Sequence, residues 1–173
     1  MWDFFETVRH RHSIRRYQPT VVEDEKIHAI LEMACAAPSA GDLQSYQIIV
    51  VTNSQMRHEL RHAADDQPFI SEAPVCLVFC ADTIRSAKKY GERGRDLYAI
   101  QDASIAASFA QLATVATGMA STWVGQFDEQ QLMNLLKLPE GLKPIAMLSI
   151  GYPAEFPEPS PRRQMSEVVK TID

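Results

Sequence analysis

The sequence predicts a domain in which helices alternate with short buried strands. Three apolar runs rich in branched side chains have the length of buried strands, at residues 46–52, 73–81 and 144–151. Residues 23–36 and 99–117 instead have the pattern and length of helices. This alternation is typical of an α/β domain, and 173 residues, of which 46% are hydrophobic, suffice for one sizeable core.

The chain opens with two predicted helices. A short amphipathic helix that ends near His10 is predicted by the helical spacing of Trp2, Phe5, Thr7 and Val8. The second helix, over residues 23–36, begins with three acidic residues suited to a helix N-terminus, and Pro38 ends it. The basic stretch at residues 9–16 therefore follows directly on a helix end.

The middle of the chain is predicted to contain two further helices and a polar connection. Ser54 is suited to cap a helix over residues 54–64, because a serine hydroxyl accepts hydrogen bonds from first-turn amides. We interpret residues 90–102 mostly as an exposed polar loop that leads into the next helix. That helix, residues 99–117, is so rich in alanine and serine that neighbours can approach closely, and Gly118 ends it. We expect it at the centre of the core.

The last part of the chain predicts a strand and a helix before the final strand, and then an extended arm. The strand covers residues 119–125, and the helix covers 128–138 with Asp128 as its N-cap. Four of the ten prolines then fall within nine residues, which excludes a helix or a central strand there. We expect residues 152–173 to form a C-terminal arm that lies on another surface, such as a partner subunit.

Charge and cysteine content narrow the classes of partner and location. A net charge of -5 and a pI near 5.5 argue against a nucleic-acid-binding protein, so the basic stretch is a local feature suited to a small anion. Three cysteines without CxxC spacing indicate a reducing compartment. No apolar run approaches the roughly 18 residues of a membrane span, and the N-terminus lacks a signal-peptide pattern. We expect a soluble, cytoplasmic protein whose residues 1–173 form one domain.

Two groups of arginines are candidates for binding an anion. In extended backbone, Arg11, Ser13 and Arg15 project from one face, and two guanidiniums with a hydroxyl suit a monophosphate. Arg162 and Arg163 follow the proline-rich arm and could close the same site. The alternatives are a solvated basic surface, pairing with the acids at 23–25, and a solvated tail.

Two loops offer further candidate ligand contacts. Residues 37–47 join a helix to a strand and carry Ser39, Asp42 and Gln44, and loops at such positions commonly line clefts. The strand at 119–125 ends at Gly125, which allows a flat ligand to approach the backbone. Plain turn chemistry is the alternative interpretation of both.

Several familiar sites are absent from the sequence. The five histidines do not predict a metal site, because His58 and His62 are four residues apart without the glutamate of an HExxH motif. Neither a GxGxxG dinucleotide fingerprint nor a P-loop occurs. A GxSxG nucleophile elbow is missing as well.

Five segments, taken in order, resemble the FMN-dependent nitroreductase family: "RHSIRRY", "APSAGDLQSYQIIVV", "GMASTWVGQFDE", "LPEGLKPIAMLSIGYPAE" and "PRRQMSEVV". The resemblance covers nearly the whole chain. It implies an α+β, nitroreductase-like FMN-binding fold with a central mixed or antiparallel sheet flanked by helices. It also implies an obligate homodimer with two FMN sites at the subunit interface and a C-terminal arm exchanged in the dimer.

The resemblance also implies which residues contact the cofactor: Arg11, His12, Ser13, Arg15, Pro38, Ser39, Ala40, Asp42, Gln44, Val124, Gly125, Arg162 and Arg163. Arg11, His12 and Ser13 would hold the FMN phosphate and ribityl chain, and Arg15 would reach the pyrimidine edge of the ring. Val124 would lie near the ring, with the Gly125 amide directed at flavin N5.

The remaining residues of this set would come from the arm and from the other subunit. Arg162 would be a further phosphate ligand with Arg163 beside it, and the loop with Pro38, Ser39 and Ala40 would belong to the partner. Asp42 departs from the family pattern, because it replaces the usual Asn and so exchanges an amide donor for an acceptor-only carboxylate. Ser45 and Tyr46 stand where a Pro-Trp pair is usual, and residues 65–98 form a compact version of the region that shapes the substrate pocket.

The implied activity is electron transfer from NAD(P)H through flavin N5 to a small nitro, quinone or enone acceptor by a ping-pong mechanism. No catalytic acid or base of the protein is needed, and Arg15 and the Gly125 amide would tune the flavin. Alternatives are an oxygen-using flavoenzyme on the same fold, a non-enzymatic FMN-binding module, and a domain that binds another phosphorylated metabolite. The sequence contains no fingerprint that selects NADH or NADPH.

Overall fold

The computed structural model describes residues 3–172 and contains eight helices and four strands in this range. The helices are α1 (Phe4–His10), α2 (Asp24–Cys35), α3 (Ser54–Ala63), α4 (Phe69–Glu72), α5 (Thr83–Arg93), α6 (Ala99–Ala116), α7 (Glu129–Leu135) and α8 (Met165–Val168). The strands are β1 (Tyr46–Val51), β2 (Val75–Asp82), β3 (Ala120–Val124) and β4 (Leu142–Gly151).

The four strands form one sheet in the order β1-β2-β4-β3, and every pair of neighbours is antiparallel. A single parallel bridge between Ser13 and Ser121 adds the basic N-terminal segment beside β3. Alternation of helices and strands by itself is typical of a parallel sheet, whereas this sheet is antiparallel. The α+β fold implied by the resemblance is therefore confirmed.

Helices cover both faces of the sheet and bury the two central strands. On one face, α2 and α6 pack against Leu77, Phe79 and Leu148. The other face carries α3, α4 and α7, which pack around Val78 and Met147. Helix α6 presents a row of fully buried small residues to the sheet: Ala99, Ala103, Ala106, Ala107 and Ala110. The prediction that this alanine-rich helix is central is confirmed.

The structure corrects two of the predicted elements. Residues 90–102 are not a polar loop, because α5 continues through a turn of π-helix (Gly94–Tyr98) directly into α6. The cap of α3 is Asn53 and not Ser54, since the Asn53 side chain accepts the Met56 N–H at 2.9 Å. Asp128 caps α7 as predicted. Of the residues that predicted the first helix, Trp2 lies outside the described range.

The start of the C-terminal segment is tied to the basic N-terminal segment. Tyr17 forms an antiparallel bridge with Pro153, and the Ala154 N–H donates to the Arg16 carbonyl at 2.9 Å. Beyond Glu155 the chain has no helix or strand until α8, and its side chains are exposed. Residues 15–18 and 152–155 therefore meet at one edge of the fold. Within residues 3–172, no helix combines the length and the apolar character that crossing a membrane requires.

Candidate functional site

The basic segment runs extended along the outer edge of β3 and is anchored by two buried side chains. The Ile14 N–H donates to the Ser121 carbonyl at 3.2 Å, and the Thr122 hydroxyl donates to the Ile14 carbonyl. Ile14 and Tyr17 are buried, and the Tyr17 phenol donates to the Ser149 carbonyl at 3.0 Å. Burial raises the pKa of Tyr17, so the phenol remains a donor. These contacts hold the backbone that carries the arginines.

Arg11 lies near Arg162, which comes from the opposite end of the chain. Burial, followed by the nearby positive charge of Arg162, lowers the pKa of Arg11. Among the described residues, no carboxylate forms an ion pair with either guanidinium. Guanidiniums bind anions through charge-assisted hydrogen bonds, and their fork geometry suits a phosphate.

Arg15 lies on a different part of the same edge. Its backbone N–H donates to the Glu155 carboxylate at 2.6 Å, and its guanidinium carbon is 5.9 Å from the centre of the Phe69 ring. Phe69 packs in the same cluster as Ile14 and Val124. Gly125 is exposed and directly follows Val124. Arg15 and the end of β3 are therefore both close to the cluster that contains Phe69.

His12 and Arg163 have contacts of their own. His12 lines an apolar cavity of about 320 Å³ together with Ile14, Met119 and Phe156. Arg163 donates to the carbonyl of Glu167 at 3.0 Å and lies 3.7 Å from its carboxylate, within the arm itself. The two adjacent arginines of the arm therefore have different surroundings.

The loop at 37–45 is held in an unusual backbone conformation. Gly41, Asp42 and Gln44 all have positive φ, at 56°, 57° and 49°, which is uncommon for residues with a side chain and is often found at functional sites. The Ser39 hydroxyl accepts the Gln44 N–H at 2.8 Å, and the Gln44 side chain donates to the Cys35 carbonyl at 3.2 Å. Two of the predicted ligands thus stabilise the loop in this chain.

Asp102, which the sequence analysis did not single out as a site residue, anchors this loop by accepting hydrogen bonds from its backbone. Its side chain is buried, with 1% exposure, and accepts the N–H groups of Ala40 at 2.8 Å and Ser45 at 3.3 Å. The single carboxylate of the alanine-rich helix α6 is a signal in the sequence that points to such a role, since buried acids need hydrogen-bond donors. Asp102 therefore fixes both ends of the loop.

Helix α5 holds the same loop from the other side. Arg85 donates to the Leu43 carbonyl at 2.6 Å, and Lys89 donates to the Gly41 carbonyl at 3.4 Å. A Cβ on Gly41 would lie 2.1 Å from the Tyr90 hydroxyl, so the loop and α5 are in close contact. Glycine at this position allows both the positive φ and the close approach.

The loop and the basic segment lie far apart within one chain. The loop is attached to Asp102 in the first turn of α6, whereas the cavity beside the basic segment is lined by Val115 in its last turn. At ~1.5 Å per residue these two positions are about 20 Å apart along the helix. One chain alone therefore does not bring the two groups of predicted site residues together.

The fold and this geometry define an α+β domain with two neighbouring arginines at the edge of an antiparallel sheet. The chain belongs to the nitroreductase family: the sequence profile described as "Nitroreductase family" matches residues 8–68 and 55–152. It is 32% identical over 186 residues to an NADH dehydrogenase of Thermus thermophilus, covering 92% of this chain and 91% of that protein. The resemblance found in the sequence is confirmed.

Two further relatives are flavin enzymes by name. The chain is 32% identical over 163 residues to an FMN reductase (NAD(P)H) of Bacillus subtilis, covering 87% of this chain and 66% of that protein. Its structure superimposes on the NADPH:FMN oxidoreductase of Vibrio harveyi complexed with NAD+ with a TM-score of 0.90 and 30% identity. That superposition covers 98% of this chain and 76% of the other.

Proposed function

We propose that this protein is an FMN-dependent oxidoreductase that passes electrons from NAD(P)H to a small organic acceptor by a ping-pong mechanism. The observation that carries the proposal is the proximity of Arg11 and Arg162, whose like charges interact and which form no ion pair with a carboxylate of the described residues. The relatives named above as FMN reductase and NADPH:FMN oxidoreductase support the same assignment.

The residues present fit the phosphate of FMN. A phosphate dianion beside Arg11 and Arg162 would offset their mutual repulsion, which after burial is the second cause of the lowered pKa of Arg11. Ser13 lies beside Arg11 and supplies a hydroxyl donor, and His12 contributes from the same stretch of backbone. We assign Arg163 to the rim of this site, because its guanidinium also donates to Glu167.

The end of β3 and Arg15 fit the flavin ring. FMN, when bound, supplies an N5 atom that accepts hydride and later gives electrons to a nitro, quinone or enone compound. Arg15 offers a positive charge for the pyrimidine edge, Val124 an apolar contact and Gly125 an open backbone amide for N5. The protein then acts by binding and orientation, with no acid or base of its own in the hydride step.

A homodimer completes the site in this proposal. The loop with Pro38, Ser39, Ala40, Asp42 and Gln44 lies about 20 Å along α6 from the basic segment and reaches a flavin only if a second copy supplies it. Large apolar side chains on α1 and the arm are exposed, at 67% for Phe4, 66% for Phe5 and 89% for Phe156. Exposed apolar side chains near one edge favour a protein partner. We therefore place residues 152–173 as an arm exchanged between two single-domain subunits.

We propose a cytoplasmic location. Cys35, Cys76 and Cys80 are all free thiols in the described structure, although they are spread over surface and core. Free thiols are typical of proteins from a reducing compartment.

The proposal is tested with Arg11→Ala and Arg162→Ala, and with Arg9→Ala as a matched control that removes a charge from α1. Each charge-assisted hydrogen bond to phosphate contributes about 1.5–3 kcal/mol, which corresponds to roughly ten- to hundredfold in FMN affinity. We expect purified wild-type protein and Arg9→Ala to show flavin absorption bands and the two site variants to lose FMN. Wild-type protein without flavin bands, or full retention of FMN by Arg11→Ala, would overturn the assignment.

Steady-state kinetics test the mechanism separately. Parallel double-reciprocal lines with NAD(P)H and a quinone are expected for ping-pong transfer, and intersecting lines contradict it. Oxygen uptake that matches NAD(P)H turnover in the absence of a quinone would favour the oxygen-using alternative.

A further inference from the structure

Helix α5 carries four exposed cations that have no role in the proposed FMN site. Arg85, Lys88, Lys89 and Arg93 are all exposed, and we call them the α5 basic face. The first three are spaced i, i+3 and i+4, which places them on one side of the helix. This concentration of positive charge contrasts with the net charge of -5 of the whole chain.

The helix of the α5 basic face itself contains one carboxylate, that of Glu92, four residues after Lys88. None of the four cations forms an ion pair within residues 3–172, whereas the next cation along the chain, Arg95, lies 2.7 Å from Asp96. A cluster of like charges is unfavourable by itself, so an anionic partner stabilises it. The small extent of the patch and the acidic chain around it argue for a small polyanion and not for nucleic acid.

Three of the four cations are held in place by neighbours that leave their charge unpaired. Arg85 and Lys89 bind carbonyls of the loop at 37–45, as described above. Arg93 donates to the Tyr98 hydroxyl at 2.9 Å, and the Tyr98 ring meets the edge of Tyr90 with centres 5.2 Å apart. Lys89 in turn lies 5.3 Å from the centre of the Tyr90 ring. Such restraint lowers the entropy cost of binding an anion.

We propose that the α5 basic face binds the phosphate groups of NAD(P)H. This inference rests on the proposed function, in which the loop at 37–45 borders the flavin. The nicotinamide ring must reach flavin N5, while the phosphate groups of the dinucleotide lie several bonds away from that ring. A basic surface that contacts the loop through Arg85 and Lys89 is suited to receive them, and several cations match several phosphate charges.

Lys88 is the residue with which to test this inference. It is exposed and makes no hydrogen bond or ion pair in the described structure, so Lys88→Glu breaks no contact of the fold. Lys137→Glu is the matched control, because it reverses one exposed charge on α7's C-terminal side, outside the α5 basic face. Kd values of NADP+ and NAD+ are measured by titration calorimetry on the FMN-loaded proteins at low salt.

We expect Lys88→Glu to weaken NADP+ binding by roughly threefold to tenfold, the range for an exposed charge contact changed by two charge units. Lys137→Glu should stay within about twofold of wild type, and salt at 0.15 M should reduce the difference. A loss confined to NADP+ assigns the 2′-phosphate to the face, and an equal loss for NAD+ assigns the pyrophosphate. Unchanged Kd values for both nucleotides in FMN-loaded Lys88→Glu overturn the inference while the proposed function stands; wild-type protein that holds no FMN overturns both.

Discussion

Asp102 is the residue whose removal tests the description of the loop at 37–45 most directly. Asp102→Ala removes the acceptor of two backbone N–H groups, those of Ala40 and Ser45, at 2.8 and 3.3 Å. Ser45 is fully buried, so water cannot reach its backbone amide in the variant. Ala40 is half-buried, so water can replace the lost acceptor of its amide. The two lost hydrogen bonds therefore have unequal consequences.

The expected loss of stability follows from these surroundings. An unsatisfied buried amide costs about 2 kcal/mol, and an amide that water can reach costs about 1 kcal/mol. The free energy of unfolding of Asp102→Ala should therefore fall by about 3 kcal/mol, the sum of these two costs. For a chain of 173 residues, this corresponds to a Tm lower by roughly 6–12 °C. Asp102→Asn keeps one acceptor oxygen and should lose about half as much.

Urea unfolding followed by circular dichroism measures this difference, and amide hydrogen exchange locates it. We expect faster exchange at Ser45 and Ala40 in Asp102→Ala. Asp96→Ala removes an exposed carboxylate that pairs only with Arg95, and as a control it should stay within about 0.5 kcal/mol of wild type. Asp102→Ala with a stability equal to that of the control would refute the anchoring role of Asp102.

Two further predictions concern packing and thiol chemistry. Gly94→Ala places a methyl group 2.5 Å from the backbone oxygen of Ser86, which cannot rotate away. We expect the free energy of unfolding, measured with urea, to fall by about 2 kcal/mol. An unchanged midpoint of unfolding would contradict this packing. Burial raises the pKa of Cys76 and Cys80 to about 12, whereas Cys35 is exposed. In native protein at mildly alkaline pH we expect Ellman's reagent to label Cys35 alone, and all three thiols in guanidinium; labelling of more than one thiol before unfolding would show that the core opens.

Much of the fold could be predicted from local patterns. The three apolar runs correspond to β1, β2 and β4, and the alanine-rich segment corresponds to the buried helix α6. These elements could be predicted because a continuous run of apolar residues indicates a buried element. Asp128 was predicted as a cap since the aspartate stands immediately before its helix. The antiparallel direction of the strands could not be predicted from these patterns, because an alternation of helices and strands alone does not specify it.

Elements that depend on neighbours were predicted less well. Residues 90–102 are polar and contain two glycines, and they are helical because α5 and α6 join through Gly94, which packs against Ser86. Asn53 and Ser54 are both good caps, and only the backbone geometry at residue 53 shows which of them caps α3.

The sequence by itself determined the family, the basic segment and the proline-rich arm, because each is a run of neighbouring residues whose chemistry shows in their order. Only the tertiary structure decided that Arg11 lies near Arg162 and that Arg163 donates to Glu167. It also decided that Asp102 holds the loop at 37–45 and that this loop lies far from the basic segment of its own chain. The physical reason is that contacts between residues distant in the chain depend on how helices and strands pack together, and local periodicity carries no information about that packing.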